Sequence, residues 1–180
     1  KRADRKRHKI ASVAIAGYTN AGKSSLLNRL TGAGVLVEDA LFATLDPTTR
    51  RAETSDGRIY TYTDTVGFVR HLPHQLVEAF RSTLEEVADA DLLLHVVDGS
   101  HPDPQGQIGA VRSVLSDIDA MSVPEIIVVN KADEADPVVV AAILANEPHA
   151  VVVSARTGEG IDELLAAIES QLPVPAAEVD

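Results

Sequence analysis

The stretch of sequence that decides the fold is Gly17-Tyr18-Thr19-Asn20-Ala21-Gly22-Lys23-Ser24-Ser25. An apolar run over residues 10–16 precedes it and favours a strand, and residues 26–30 after it favour a helix. A glycine loop between a strand and a helix, with the pattern G-x-x-x-x-G-K-S/T, is typical of phosphate binding. The glycines let main-chain N–H groups turn toward one anion, and the helix N-terminus adds partial positive charge. The sequence therefore predicts a phosphate-binding loop rather than a plain glycine turn.

Two side chains at the end of this loop have specific chemistry. Lys23 would place a positive charge beside the β- and γ-phosphates of a nucleotide. The hydroxyl of Ser24 is an oxygen ligand suited to Mg²⁺. The loop therefore predicts a nucleotide ligand bound together with Mg²⁺.

The composition is that of a globular domain. The chain has 180 residues, 45% hydrophobic and 24% charged, which is enough for one domain with a full core. No apolar run approaches the roughly 20 residues of a membrane span, and no signal peptide follows the basic start. The absence of cysteine excludes disulfides and thiolate zinc sites. We therefore expect a cytoplasmic protein that does not interact with a membrane.

Charge is unevenly distributed along the chain. Residues 1–9 carry a formal charge of +5, which leaves −16 for the rest of a chain whose total is −11. Such an acidic body argues against a general nucleic-acid-binding surface. The basic residues 1–9 either contact the phosphates of an RNA partner or form a solvated linker or helix end from a preceding domain.

Strand and helix patterns alternate along the remaining chain. A turn at Ser55-Asp56-Gly57 joins two short strand patterns into a hairpin. Strands are predicted over residues 10–16, 51–54, 58–63, 91–98, 125–130 and 150–153, and helices over 76–88, 108–118, 138–144 and 161–172. Apolar strands alternating with helices predict an α/β fold, a doubly wound, mainly parallel six-stranded sheet with one antiparallel edge strand. Residues 173–180 are predicted to be a loose tail.

The third predicted strand is followed by a second candidate phosphate motif, Asp64-Thr65-Val66-Gly67. In open α/β sheets, ligands bind beyond the carboxyl ends of the strands. Asp64 can hold Mg²⁺ through a water molecule, and the N–H of Gly67 can contact a γ-phosphate without obstruction by a side chain. An ordinary turn is the alternative interpretation of this motif.

The two last strands are followed by motifs that select the base. Asn130-Lys131-Ala132-Asp133 follows the fifth strand and Ser154-Ala155-Arg156 the sixth. The Asp133 carboxylate can accept hydrogen bonds from N1–H and N2–H₂ of guanine, a pair of donors that adenine lacks. Asn130 can tie this loop to the phosphate loop, the stem of Lys131 can cover the base, and backbone N–H groups of residues 154–156 can reach the guanine O6. These motifs predict a guanine nucleotide, GTP or GDP, rather than an adenine nucleotide.

This ordered set of motifs resembles the Ras-like G domain of the translation-factor class of P-loop GTPases. Three stretches make the chain similar to the HflX family of ribosome-associated GTPases. They are residues 17–20, residues 64–74 and Phe42-Ala43-Thr44-Leu45-Asp46-Pro47-Thr48-Thr49-Arg50. The match covers residues 10–172. We expect these to be an isolated G domain, lacking the N-terminal domain and helical linker that family members typically carry.

The resemblance implies roles for individual residues. Residues 42–46 would lie against the nucleotide, and Thr44 would ligate Mg²⁺ and close over the γ-phosphate; Thr48 and Thr49 remain alternatives to Thr44. The implied catalytic residues are Lys23, Thr44 and Gly67, and the implied metal-binding residues are Ser24 and Thr44, with Asp64 acting through water.

Two positions bear on the hydrolysis step. Many G domains place a glutamine after the glycine of the second phosphate motif to orient the attacking water, whereas this chain has Phe68. Intrinsic hydrolysis is therefore expected to be weak until a ribosomal surface organises the loop. Asn20 raises the hypothesis of a bound K⁺ ion, since similar GTPases with asparagine at this position can use that ion to stabilise the transition state.

The resemblance leaves three hypotheses for function. The first is a monomeric GTP-hydrolysing switch that binds the large ribosomal subunit and splits or rescues stalled ribosomes. The second is a GTPase in RNA modification or ribosome assembly. The third, which Phe68 keeps open, is a nucleotide-state binding module with negligible hydrolysis.

Overall fold

The computed structural model of the protein describes residues 10–18, 21–31, 48–68, 85 and 87–173, with the backbone alone for residues 48, 49 and 64–68. The strands are β1 (Ala11–Tyr18), β2 (Thr48–Glu53), β3 (Ile59–Phe68), β4 (Leu92–Asp98), β5 (Glu125–Asn130) and β6 (Val151–Val152). The helices are α1 (Lys23–Thr31), α2 (Pro104–Asp117), α3 (Pro137–Asn146) and α4 (Ile161–Gln171), and residues 85, 87 and 88 are also helical.

The strands form one six-stranded sheet in the order β2-β3-β1-β4-β5-β6. Strand β1 lies in the interior of the sheet and pairs in parallel with β3 on one side and β4 on the other. Parallel pairing continues through β5 to β6, and β2 pairs with β3 in antiparallel orientation at the edge. The predicted mainly parallel sheet with one antiparallel edge strand is therefore confirmed. Because strand order reverses at β1, the carboxyl end of β1 is where a ligand crevice is expected.

The core lies on both faces of β1. Val13 and Ile15 are fully buried and pack in a cluster that includes Leu26 of α1. Ala14 and Ala16 point to the opposite face and pack in the cluster that contains Leu115 of α2. Burying each large apolar side chain contributes about 2 kcal/mol, so the two helical layers hold β1 and the loop after it in place. Within the described residues, no helix is long and apolar enough to cross a bilayer.

The hairpin between β2 and β3 has the predicted turn. Gly57 has a φ of 88°, and the N–H of Thr54 donates to the carbonyl of Arg58 at 2.8 Å. Two buried tyrosines of β3 lie behind this turn, with the hydroxyls of Tyr60 and Tyr62 2.8 Å apart. Burial raises the pKa of the Tyr62 hydroxyl well above its usual value.

Several elements differ in length from the prediction. Helix α2 begins at Pro104 instead of residue 108, because Asp103 accepts from the Gly106 N–H at 3.1 Å and Pro104 suits the first helical position. Strand β6 spans two residues instead of four. Of the predicted helix over 76–88, residues 85, 87 and 88 are helical and the rest lies outside the described residues, as do residues 1–9 and 174–180.

A charged network ties two strands to two helical segments. Arg112 of α2 donates to Glu147 at 3.0 and 3.1 Å and to Glu125 at 2.8 Å. His95 of β4 is 1% exposed, and its Nδ1 lies 2.7 Å from Oε2 of Glu125. Burial alone would raise the pKa of Glu125, but the hydrogen bonds from His95 and Arg112 outweigh it and lower the pKa to about 2.

This network predicts an acid-dependent loss of stability. Glu125 has a lower pKa in the folded state than in the unfolded state, so its contribution is present above about pH 4.5 and is lost as the pH falls toward 2. We expect the Glu125→Gln variant to be less stable than wild type by about 2 kcal/mol at pH 6, and by less than half of that at pH 3. Urea unfolding at both pH values measures this difference.

The matched control is Glu53→Gln, at an exposed position of β2. Its stability difference from wild type should change less between pH 6 and pH 3 than that of Glu125→Gln. A Glu125→Gln deficit that does not shrink at pH 3 would show that the ionised carboxylate does not stabilise the network.

Candidate functional site

A pocket of about 610 Å³ opens beyond the carboxyl ends of β1 and β5. Its volume lies within the usual range for sites that bind small ligands. The residues that line it are Gly22, Ser25, Asn28, Arg29, Asn130, Lys131, Asp133, Glu134, Ala155 and Arg156. Three separate stretches of sequence therefore meet here: the end of the glycine loop with α1, the segment after β5, and the segment after β6.

One end of the pocket is formed by the glycine loop and the start of α1. Gly22 has a φ of 93°, a conformation that favours glycine, and the helix begins at the next residue, Lys23. A Cβ atom on Gly22 would lie 2.3 Å from Nδ2 of Asn130, so the loop and the segment after β5 approach each other too closely for a side chain. The first turn of α1, which contains Lys23, Ser24 and Ser25, presents a helix N-terminus of the kind that binds anions.

The start of the glycine loop differs from the prediction. Gly17 and Tyr18 belong to β1, which continues two residues past Ala16, the predicted end of the strand. The backbone of Gly17 runs so close to β4 that a Cβ atom would lie 2.5 Å from the carbonyl oxygen of Val96. Glycine is therefore required at this position by the packing of two strands.

The second phosphate motif also lies in a strand. Asp64, Thr65, Val66 and Gly67 were expected beyond the end of the third strand, but β3 continues to Phe68. After a register shift between Ile15 and Gly17, β1 pairs Gly17 with Gly67 and Tyr18 with Phe68. The two phosphate motifs are thus neighbours, because the extension of β1 gives the end of β3 a partner.

Asn130 joins two of the three segments. It is 2% exposed and ends β5. Its Nδ2 donates to the carbonyl of Ala21 in the glycine loop at 3.0 Å, and its Oδ1 accepts from the N–H of Ala155 at 3.0 Å. One amide side chain therefore fixes the glycine loop relative to the segment after β6.

Asp133 has both carboxylate oxygens engaged by the segment after β6. Oδ2 accepts from Nε of Arg156 at 2.9 Å, and Oδ1 accepts from the hydroxyl of Ser154 at 2.8 Å. These hydrogen bonds, from Arg156 first and then from Ser154, hold the pKa of the Asp133 carboxyl below its usual value. Asp133 is therefore a charged acceptor at neutral pH. The side chain of Arg156 is 79% exposed, so a ligand can displace it at little cost.

Two further side chains support this region, and neither was among the predicted site residues. Asp98, the last residue of β4, lies opposite Asn130 in register and accepts from Nζ of Lys131 at 3.3 Å. Arg29 of α1 donates to the carbonyls of Ala155, at 3.0 Å, and Arg156, at 2.8 Å. Asp98 could have been found from its place at a strand end, whereas no local pattern distinguishes Arg29 from a solvated helix residue.

The family is shown by comparison with known proteins. Residues 12–131 match the sequence model of the family described as 50S ribosome-binding GTPase. The chain belongs to this family.

The predicted similarity of this GTPase to HflX proteins is confirmed. A relative named GTPase HflX, from Caldanaerobacter subterraneus subsp. tengcongensis, is 53% identical over 168 residues, which are 93% of this chain and 38% of the relative. The chain spans about two fifths of the length of the curated relatives it matches.

Solved structures confirm the Ras-like P-loop GTPase fold. The chain is similar to a GTP-binding protein from Sulfolobus solfataricus, solved in complex with GDP, with a TM-score of 0.69 and 28% identity over 93% of this chain and 54% of that protein. It is also similar to Era from Aquifex aeolicus, bound to GDP and AlF₄⁻, with a TM-score of 0.73 and 24% identity over 93% of this chain and 58% of Era. At that identity the second comparison supports the fold alone.

Seven of the predicted site residues of this GTPase line the pocket together. They come from the glycine loop and the first turn of α1 (Gly22 and Ser25) and from the segments after β5 and β6 (Asn130, Lys131, Asp133, Ala155 and Arg156). The backbone of residues 64–67 lies in β3 beside β1, and their side chains are not described. Thr19, Asn20 and the segment Phe42–Asp46 with Thr44 lie outside the described residues, so their assigned roles stay predictions.

Proposed function

We propose that this pocket binds GTP and GDP and that the protein hydrolyses GTP to GDP and phosphate. The observation that carries the proposal is the position of Asp133, a charged acceptor in the same pocket as the glycine loop and the first turn of α1. In this proposal the phosphates lie against Gly22 and Lys23, and the guanine N1–H and N2–H₂ donate to Asp133 in place of Arg156. The GDP bound to the similar Sulfolobus protein supports this choice of ligand.

Mg²⁺ fits the residues at the phosphate end of the pocket. Ser24 lies in the first turn of α1, where its hydroxyl offers the hard oxygen donor that Mg²⁺ prefers. Thr44 would supply a second hydroxyl, and Asp64 would act through water. When bound, the ion neutralises charge on the β- and γ-phosphates. A K⁺ ion beside Asn20 belongs to the same proposal.

The residues of the chain divide the hydrolysis chemistry between them. Lys23 stabilises negative charge on the phosphates, and the N–H of Gly67 contacts the γ-phosphate. Phe68 cannot hydrogen-bond the attacking water, so the intrinsic rate is low. Thr44 closes over the γ-phosphate, so the position of its loop depends on whether GTP or GDP is bound.

The proposed partner is the large ribosomal subunit. The family description of the matching region, 50S ribosome-binding GTPase, supports this partner. We propose that the protein acts in the cytoplasm as a monomeric switch, and that the complete protein splits or rescues stalled ribosomes. A binding module with negligible hydrolysis is the second candidate, which Phe68 favours.

We expect two results from the purified chain with Mg²⁺. In competition against a fluorescent GDP analogue, GDP should bind at least about a hundred-fold more tightly than ADP, because adenine leaves Asp133 without its two donors.

Single-turnover GTP hydrolysis should be slow in Na⁺, faster in K⁺ and at least about ten-fold faster with large ribosomal subunits.

Each part of this experiment tests a separate claim. Equal affinity for GDP and ADP would reject guanine recognition. Equal hydrolysis rates with and without large subunits would reject the ribosome as the activator, and equal rates in K⁺ and Na⁺ would reject the K⁺ ion. Absence of hydrolysis under all conditions would leave the binding module as the function.

A further inference from the structure

We propose that Arg29 is a positioning residue for base recognition, which fixes the segment after β6 so that the pocket selects guanine. This inference rests on the proposed guanine site. It assigns a role in base selection to α1, a helix whose sequence motif predicts phosphate and Mg²⁺ binding alone.

Arg29 holds two consecutive carbonyl groups of the opposite wall. Its Nε donates to the Ala155 carbonyl at 3.0 Å, and its terminal Nη2 donates to the Arg156 carbonyl at 2.8 Å. The planar guanidinium makes this forked contact with fixed geometry, which an ammonium group cannot reproduce. Gly158, with a φ of 91°, passes close by, since a Cβ atom there would lie 3.5 Å from Nη1 of Arg29.

Fixing a carbonyl also fixes the N–H of the same peptide group. In a trans peptide the C=O and the N–H point in opposite directions. With the Ala155 carbonyl held by Arg29, the N–H of Arg156 is directed to the other side of the segment. The orientation of a main-chain donor that could meet the guanine O6 is therefore set from α1.

The second carbonyl, that of Arg156, is connected through hydrogen bonds to Asp133, the carboxylate proposed to bind the guanine base. With the Arg156 carbonyl held, the N–H of the next residue, Thr157, donates to Oγ of Ser154 at 3.1 Å. The same hydroxyl donates to Oδ1 of Asp133 at 2.8 Å. A continuous series of hydrogen bonds thus runs from Arg29 through one peptide group and Ser154 to Asp133.

Helix α1 therefore contacts both halves of the proposed ligand site. Lys23 and Ser24 begin the helix at the phosphate end, and Arg29 lies in its last turn beside the base-reading segment. Asn130 makes a separate connection between the glycine loop and the Ala155 N–H. Arg29 donates to two carbonyls of that segment, whereas Asn130 accepts from one of its N–H groups.

Substituting Arg29 tests this role through base selectivity. In Arg29→Gln we expect GDP affinity to fall about ten-fold, while ADP affinity stays within about two-fold of wild type, because ADP shares the phosphates and ribose but makes no use of the base-reading groups. Arg29→Lys keeps the charge without the fork and should show most of the loss. Affinities are measured by competition against a fluorescent GDP analogue, with thermal melting as a check of folding.

The matched control is Arg51→Gln, at an exposed arginine of β2, which should leave both affinities unchanged. The inference is overturned if both Arg29 variants bind GDP within about two-fold of wild type. It is also overturned if GDP and ADP affinities fall together, which would assign Arg29 a role in stability alone. A wild-type protein without preference for GDP over ADP would remove the proposed guanine site itself, and this inference with it.

Discussion

Asp133→Asn is expected to reverse the base preference of the pocket, lowering GDP affinity by about a hundred-fold and making XDP the better ligand. The asparagine Oδ1 still accepts from the guanine N1–H, but its amide N–H₂ faces the guanine N2–H₂, so two donors meet. Xanthine carries a carbonyl in place of that amino group and accepts from the asparagine. Ser154 can keep its hydrogen bond to Oδ1, and the exposed Arg156 can turn into solvent.

Titration calorimetry of wild type and Asp133→Asn with GDP, XDP and ADP measures this change. Asp117→Asn, an exposed carboxylate at the end of α2, is the matched control and should bind GDP as wild type does. A variant that still prefers GDP over XDP would show that Asp133 does not read the base.

Gly22→Ala is expected to lower the affinity for GDP by at least about a hundred-fold and to reduce stability by roughly 2–4 kcal/mol. The φ of 93° is strained for alanine, and the new methyl group would lie 2.3 Å from Nδ2 of Asn130. Asn130 would have to move, and its bonds to Ala21 and Ala155 would then be lost together. The phosphate and base ends of the pocket would therefore both be disturbed by one methyl group.

The control for this substitution is Gly109→Ala in α2, where a Cβ atom meets nothing within 4 Å. Because alanine is favoured over glycine in a helix, this variant should be more stable than wild type by about 1 kcal/mol, with unchanged GDP affinity. Urea unfolding and GDP titration of the two variants test the contrast. GDP affinity of Gly22→Ala within about three-fold of wild type would contradict the expectation.

The alternation of strands and helices could be predicted because it depends on local patterns. The apolar run 125–130 gave the bounds of β5 correctly, since both its ends carry polar residues. The glycine loop before α1 was found from spacing and residue type alone. The turn at Gly57 was found because few residues other than glycine adopt its conformation.

The carboxyl end of β1 and the contacts made by Arg29 and Arg156 could not be predicted. Strand β1 continues to Tyr18 because it pairs with β3 there. The pairing of two distant segments cannot be recognised from the local sequence of either segment. The contact of Arg29 with Ala155 joins residues 126 positions apart. The bond between Arg156 and Asp133 depends likewise on two loops that meet in the folded chain.

The buried pair Tyr60 and Tyr62 gives this protein an optical probe of its own sheet. The chain has three tyrosines and no tryptophan, so tyrosine emission is not masked by a stronger fluorophore. In the native sheet Tyr62 resists ionisation, because burial raises its pKa, and in the unfolded chain it ionises like any phenol. Alkaline difference absorbance and intrinsic fluorescence can therefore report whether β3 is intact in every variant, without a label.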